Sequence, residues 1–221
     1  LPHLPPYERA AGEPRLAVLR DWPYVVITAM TGLFALHFLV MELGVALFIS
    51  QRTQAPTVMV AVLLLLNTVA VALFQVRLSR GSDSVAASSR SLLRGSLWMA
   101  AGFVAIGLAG RFGVTAAIGL LVVGAGLHVV GEMIGSGGQW GLQMGLAPHE
   151  RQGQYQGFAG LGFTSVTIVG PPVVTLLCVR HSDIGWFVLA ALMVTVSAAT
   201  IPLARWALSH REQYGVTTHS G

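Results

Sequence analysis

Six apolar stretches, at about 23–49, 56–77, 92–110, 113–135, 154–179 and 184–206, occupy almost all of this 221-residue chain. A helix rises about 1.5 Å per residue, so about 20 apolar residues carry it across a hydrocarbon layer about 30 Å thick. Each stretch has about that length, and none is interrupted by a run of charge. Inside lipid a backbone must satisfy its own hydrogen bonds, which selects helices for apolar runs of this length. The expected fold is an all-α integral membrane bundle of six transmembrane helices over 22–208, with an N-terminal segment at 1–21 and a tail at 209–221.

Composition supports that reading. Hydrophobic residues make up 54% of the chain and charged residues only 10%, against about a quarter charged in a soluble domain. The mean hydropathy is +0.69. The 26 glycines fit closely packed membrane helices. A pI near 10.0 would fit a nucleic-acid binder, but the arginines are scattered between apolar stretches instead of clustering on one soluble face, so no nucleic acid is expected as a partner. All 13 basic residues are arginine. That bias fits a GC-rich coding sequence. Cys178 is the single cysteine and lies in an apolar run, which excludes a disulfide framework or a thiolate metal site. No cofactor or metal is expected. The first 20 residues hold four prolines and no apolar run, so they read as a linker or as the continuation of a longer chain, and not as a signal peptide.

Arginine placement orients the bundle. Arg9, Arg15, Arg20, Arg77, Arg80, Arg90, Arg94, Arg151, Arg205 and Arg211 fall on one side if the spans alternate, and only Arg52, Arg111 and Arg180 on the other. The richer side is expected to be cytoplasmic and to hold both termini. Trp22, Tyr24, Trp140, Tyr155 and Trp206 lie near that side and Trp186 and Phe187 near the opposite one, as an aromatic belt would place them.

Ionisable groups within the spans need an explanation, because a charge at the bilayer centre costs about 2.5–3.5 kcal/mol on insertion scales. His37 and Glu42 in span one are five residues apart, about 140° around a regular helix, so they do not share a face. His128 and Glu132 in span four are four apart and do share one. The functional reading of these four is a proton or substrate site in a water-filled cavity. The structural reading makes each histidine a neutral imidazole bonded to a carbonyl, and pairs Glu132 with a loop arginine. Asn67 and Gln75 in span two would bond across helices. Gly131-x-x-x-Gly135 and Gly153-x-x-x-Gly157 suit close helix packing, and Gly170-Pro171-Pro172 would bend span five. Two enzyme readings are weak. His128-x-x-x-Glu132 lacks the H-E-x-x-H arrangement of a zinc protease, and Gly135-Ser136-Gly137-Gly138 only loosely resembles a serine-nucleophile loop.

Gly131-Glu132-Met133-Ile134, followed by Leu146-Ala147-Pro148-His149-Glu150-Arg151-Gln152-Gly153-Gln154-Tyr155-Gln156-Gly157, resembles the connection between the tenth and eleventh helices of major facilitator superfamily transporters. The pattern there is close to G-E, a spacer, then L-A-P-x-x-x-R-G-x-Y-x-G. Leu66-Asn67-Thr68 and Gln75-Val76-Arg77 resemble the eighth helix of actinobacterial members. Gln152 is an insertion within the usual R-G pair, and the 77–94 connection keeps Arg80-Gly81 and Asp83 without the family's basic cluster.

The resemblance implies the C-terminal six-helix half of a twelve-helix fold, built as two inverted three-helix repeats. It implies a partner six-helix half, a small-molecule substrate, a bacterial inner membrane and no enzymatic activity. It places His37, Glu42 and His128 on cavity-lining helices, and Glu132, Arg151, Gly153, Tyr155, Gly157, Arg77 and Arg80 at a cytoplasmic gate. The expected function is secondary transport of a small organic solute, coupled to protons, by alternating access. Two alternatives stay open. One is a truncated or partner-dependent membrane subunit with no activity alone. The other is an intramembrane hydrolase using Ser136.

Overall fold

A computed structural model of the chain describes residues 17–210, which are mostly helical and contain no strand. The 1–21 segment before residue 17, with Arg9 and Arg15, and the tail from 211 onward lie outside the described residues. Six helices are long and apolar enough to cross a membrane: α1 Trp22–Arg52, α2 Val58–Leu78, α3 Val85–Ala109, α4 Val114–Leu146, α5 His149–Arg180 and α6 Asp183–His210.

Their starts follow from local chemistry. Asp21 caps α1 by accepting the Tyr24 N–H at 3.2 Å, with Pro23 in the first turn, where its missing N–H leaves no bond unmade. Ser84 caps α3 in the same way through the Ala87 N–H at 3.2 Å. The turn before α3 contains Gly81 at φ +91°, a left-handed conformation that favours glycine.

Two helices run well past their apolar stretches. α3 begins at Val85, so Arg90 and Arg94 sit on exposed positions of its first turns. α4 continues to Leu146, 11 residues beyond the expected end at 135. The polar, glycine-rich sequence 136–146 reads as a loop by hydropathy, yet it is helical because its glycines are packing positions. A Cβ on Gly138 would stand 2.5 Å from the Leu92 backbone nitrogen, and one on Gly137 2.8 Å from the Ser79 carbonyl oxygen.

The bundle is organised around α3, which packs along α4 on one side and α6 on the other. The α3–α4 seam is backbone against backbone. A Cβ on Gly95 would lie 2.5 Å from Gly131 O and Gly135 N, and one on Gly102 2.6 Å from Gly124 O. The expected packing role of Gly131-x-x-x-Gly135 is therefore met by Gly95. Gly153 and Gly157, by contrast, face open space. Between α3 and α6 the buried hydroxyls of Ser96 and Ser197 meet at 2.5 Å. α1 packs on α6 and α5, while α2 packs chiefly on α4.

Aromatic residues are less peripheral than a belt would have them. Trp22 and Trp140 are exposed, but Tyr24, Tyr155 and Trp186 are buried. Trp186 fills the core between Phe48 and Phe103, with ring centroids 5.2 and 5.8 Å away. At that same end two of the three minority-side arginines tie helix ends together. Arg52 Nε donates to Val179 O at 2.8 Å, and Arg111 pairs with Asp183, its Nε donating to Oδ2 at 2.6 Å.

Candidate functional site

α1 is not a uniform helix. Its hydrogen-bond ladder is interrupted at Ala35 and widens to a π turn over Val40–Gly44, with Glu42 at the centre of that turn. A π turn carries more residues per revolution, so the angular gap between His37 and Glu42 is narrower than on a regular helix. A second π turn, Leu176–Arg180 of α5, packs against the first. A Cβ on Gly44 would stand 2.9 Å from both Cys178 Sγ and Val174 Cγ1, so the buried Cys178 is a packing residue of this junction.

Glu42 opens onto a cavity of about 490 Å³ between α1, α4 and α5. Phe38 and Leu39 share its α1 wall with Glu42, Gln139 and Gln143 come from α4, and Gln156, Phe163 and Thr167 come from α5. Ser136 and Trp140 also line it, on the part of α4 that the hydropathy pattern leaves outside the span. That stretch is the site component the sequence reading missed. The signal was available in the glycines at 135, 137, 138 and 141, which continue the small-residue spacing of the α3 seam.

His37 and His128 do not line this cavity. Both are fully buried between α1 and α4, their ring centroids 5.3 Å apart. Phe34 and Phe38 flank His37, and Phe103 flanks His128. None of the four imidazole nitrogens has a hydrogen-bond partner, so the carbonyl-bonded imidazole expected from sequence is not what the fold provides. His128 Nδ1 faces Glu132 Oε2 at 3.8 Å. Asn67 of α2 is in polar contact with the Glu132 carboxyl, and Glu42 is near enough to repel it. The four ionisable groups thus form one locus: Glu42 at the cavity wall, Glu132 behind it, and the two histidines deeper in the bundle.

Glu132 stands apart from the expected gate. Fourteen residues separate it from Leu146, about 21 Å along the helix, so Arg151, which follows the end of α4, is not at its level. Arg77 and Arg80 are exposed, and Arg80 lines a shallow recess with Asp83 and Trp140 at the arginine-rich end. Arg151 ends the 3-10 turn His149–Arg151 that leads into α5. Gln152 has a clear local role: its Nε2 donates to Ala147 O at 3.2 Å, satisfying a terminal carbonyl of α4.

Tyr155 is a latch. Its hydroxyl donates to Asp21 Oδ2 at 3.1 Å, while the Tyr24 hydroxyl donates to Tyr155 O at 3.1 Å, which fastens the start of α5 to the start of α1. Pro171 and Pro172 lie within helical α5, and the Gly170 backbone beside them presses on Leu36 and Leu39 of α1. Neither nitrogen of His128 is bonded to Ser136. Among the described residues no group of three or more metal-ligating side chains comes together. No protein family, curated protein or solved structure shows significant similarity to this chain.

Proposed function

We propose that the chain is one six-helix half of a secondary transporter of the major facilitator type, moving a small organic solute by alternating access with protons as the coupling ion. The observation that carries this reading is the cavity of about 490 Å³ with a membrane-embedded carboxylate, Glu42, on its wall. Its walls come from α1 and α4, the first and fourth helices, which line the central pathway in that family, together with α5. The arginine-rich end is the cytoplasmic one in this reading, and both termini lie there in a bacterial inner membrane.

The neighbour relations support two inverted three-helix repeats. Exchanging α1 with α4, α2 with α5 and α3 with α6 maps the α3–α4 contact onto α6–α1, α2–α4 onto α5–α1, and α3–α6 onto itself. An odd number of spans per repeat makes the two copies antiparallel across the membrane. The partner half would cover α2 and α5, whose apolar stretches are only 11% and 22% buried.

The test is pH-gradient-driven uptake by the complete transporter carrying Glu42→Gln. The expected outcome is loss of gradient-driven flux from a protein that still inserts and purifies. Unchanged coupling would remove Glu42 from the mechanism. A second reading is a membrane subunit that is inactive until it pairs, and the exposure of α2 and α5 favours it equally. Cysteine crosslinking between α2 and α5 faces in detergent would reveal a self-paired dimer, which is the form that reading requires if no separate partner exists.

A further inference from the structure

The geometry points to a lipophilic organic cation as the ligand of the α1–α4–α5 cavity. This rests on the reading of that cavity as the solute site of a carrier, and it specifies the chemistry of the solute.

Three features of the lining agree. Among the described residues that line the cavity, Glu42 is the only ionisable one, and none is an arginine or histidine. Glu132, a second carboxyl, lies close enough behind the wall to interact with Glu42, and the fully buried His37 and His128 are not among the lining residues. Phe38, Trp140 and Phe163 contribute aromatic faces, with Phe38 and Phe163 meeting edge to face at 6.1 Å between centroids. Rings so placed attract a cation through their quadrupoles, most strongly where water is excluded.

The neutral polar groups are turned the same way. Gln139 Nε2 donates to Thr31 O at 3.1 Å, and Gln143 Nε2 to Thr31 Oγ1 at 3.3 Å. Gln156 Nε2 is directed at Met144 Sδ, 3.1 Å away, and the Thr167 hydroxyl donates to Thr164 O at 2.7 Å. Each of these groups therefore directs one donor at the protein and keeps its oxygen lone pairs for whatever occupies the cavity, and each glutamine has a second N–H in addition. An anion would meet acceptors and a carboxylate. A neutral solute would leave Glu42 without a counter-charge inside the membrane. A cation with apolar substituents answers both, and the volume lies in the usual range for organic ligands, about 300–1,000 Å³.

The experiment is equilibrium dialysis of the purified chain in detergent against tetraphenylphosphonium and tetraphenylborate, two ions of the same shape and opposite sign. The expected result is saturable binding of tetraphenylphosphonium only, weakened about tenfold or more by Glu42→Gln and retained by Glu42→Asp. Gln156→Lys, which adds a positive charge to the same wall and offsets Glu42, is expected to abolish the preference. Equal binding of the two ions, insensitivity to both charge changes, or no saturable binding would overturn the proposal. A cation that binds but never crosses a membrane would leave this inference standing and count against the transporter reading, so the two fail separately.

Discussion

The α3–α4 seam and the α1–α5 side of the bundle are both helix pairs rich in small residues, but they are built to different tolerances. Along the seam, glycine backbones touch with no room for a side chain, at Gly95 against Gly131 and Gly135 and at Gly102 against Gly124. On the other side a Cβ on Gly32 would sit at an ordinary 3.5 Å from Gly162, those on Gly44 and Gly170 would meet side-chain ends and not backbone, both helices carry π turns, and the cavity opens between them. Association of helices in lipid depends on close packing, so the seam is where this fold concentrates its stability. The looser side keeps the irregular backbone and the ionisable groups, which is where motion and ligand chemistry belong.

The comparison breaks most directly at Gly95. Gly95→Leu would force the α3 and α4 backbones apart, and the expected cost is about 3 kcal/mol or more, read as loss of a folded, monodisperse protein in detergent. The control is Gly157→Leu, which enters open space. Its melting transition is expected to stay within about 0.5 kcal/mol of the parent's. If the two substitutions cost the same, the seam has no special standing.

A smaller effect of opposite sign is expected at the histidines. Each is buried without a hydrogen-bond partner, which costs about 1–3 kcal/mol for an unsatisfied polar group. His128→Phe places a ring of similar breadth between Phe103 and His37, and thermal unfolding should show stability held or raised by about 1 kcal/mol. Proton-driven flux by the complete transporter should fall. Lost stability with unchanged flux would make His128 a structural residue only.

Tyr155→Phe sharpens the comparison on the loose side. It removes the hydroxyl bond to Asp21 and should cost about 1.5 kcal/mol, as for a bond to a charged acceptor. The smallest effect is expected between α3 and α6. A double-mutant cycle with Ser96→Ala and Ser197→Ala should give a coupling of about 0.6 kcal/mol, the average for such bonds between membrane helices.

The sequence made the six spans legible because hydropathy reports burial in lipid directly. Their ends were less so. Span four was expected to stop at 135 because Gly135-Ser136-Gly137-Gly138 is neither apolar nor a strong helix-forming run, yet those residues are held helical by contact with Ser79, Ser88 and Leu92. Glu42 stood out as an acid with no basic neighbour in sequence, and it does face a cavity. Glu132 lies further from the end of its helix than the hydropathy pattern implies, because that pattern ends span four at 135. The approach of His37 to His128 was out of reach, since the two are 91 positions apart and no local pattern encodes which faces of α1 and α4 meet. Tyr155 was picked out by the motif, but its hydroxyl bond to Asp21 depends on a tertiary contact that spacing does not carry.

The most direct test of the account is transport in proteoliposomes with an imposed pH gradient, comparing this chain alone with the chain joined to a second six-helix half. A cationic solute too polar to cross protein-free vesicles, beside a panel of neutral and anionic solutes, reports flux. The expected result is gradient-driven flux from the joined form and none from the chain alone, because the cavity is walled on one side only by α1, α4 and α5. Flux from the chain alone would contradict the two-half account and make this a self-assembling six-helix carrier.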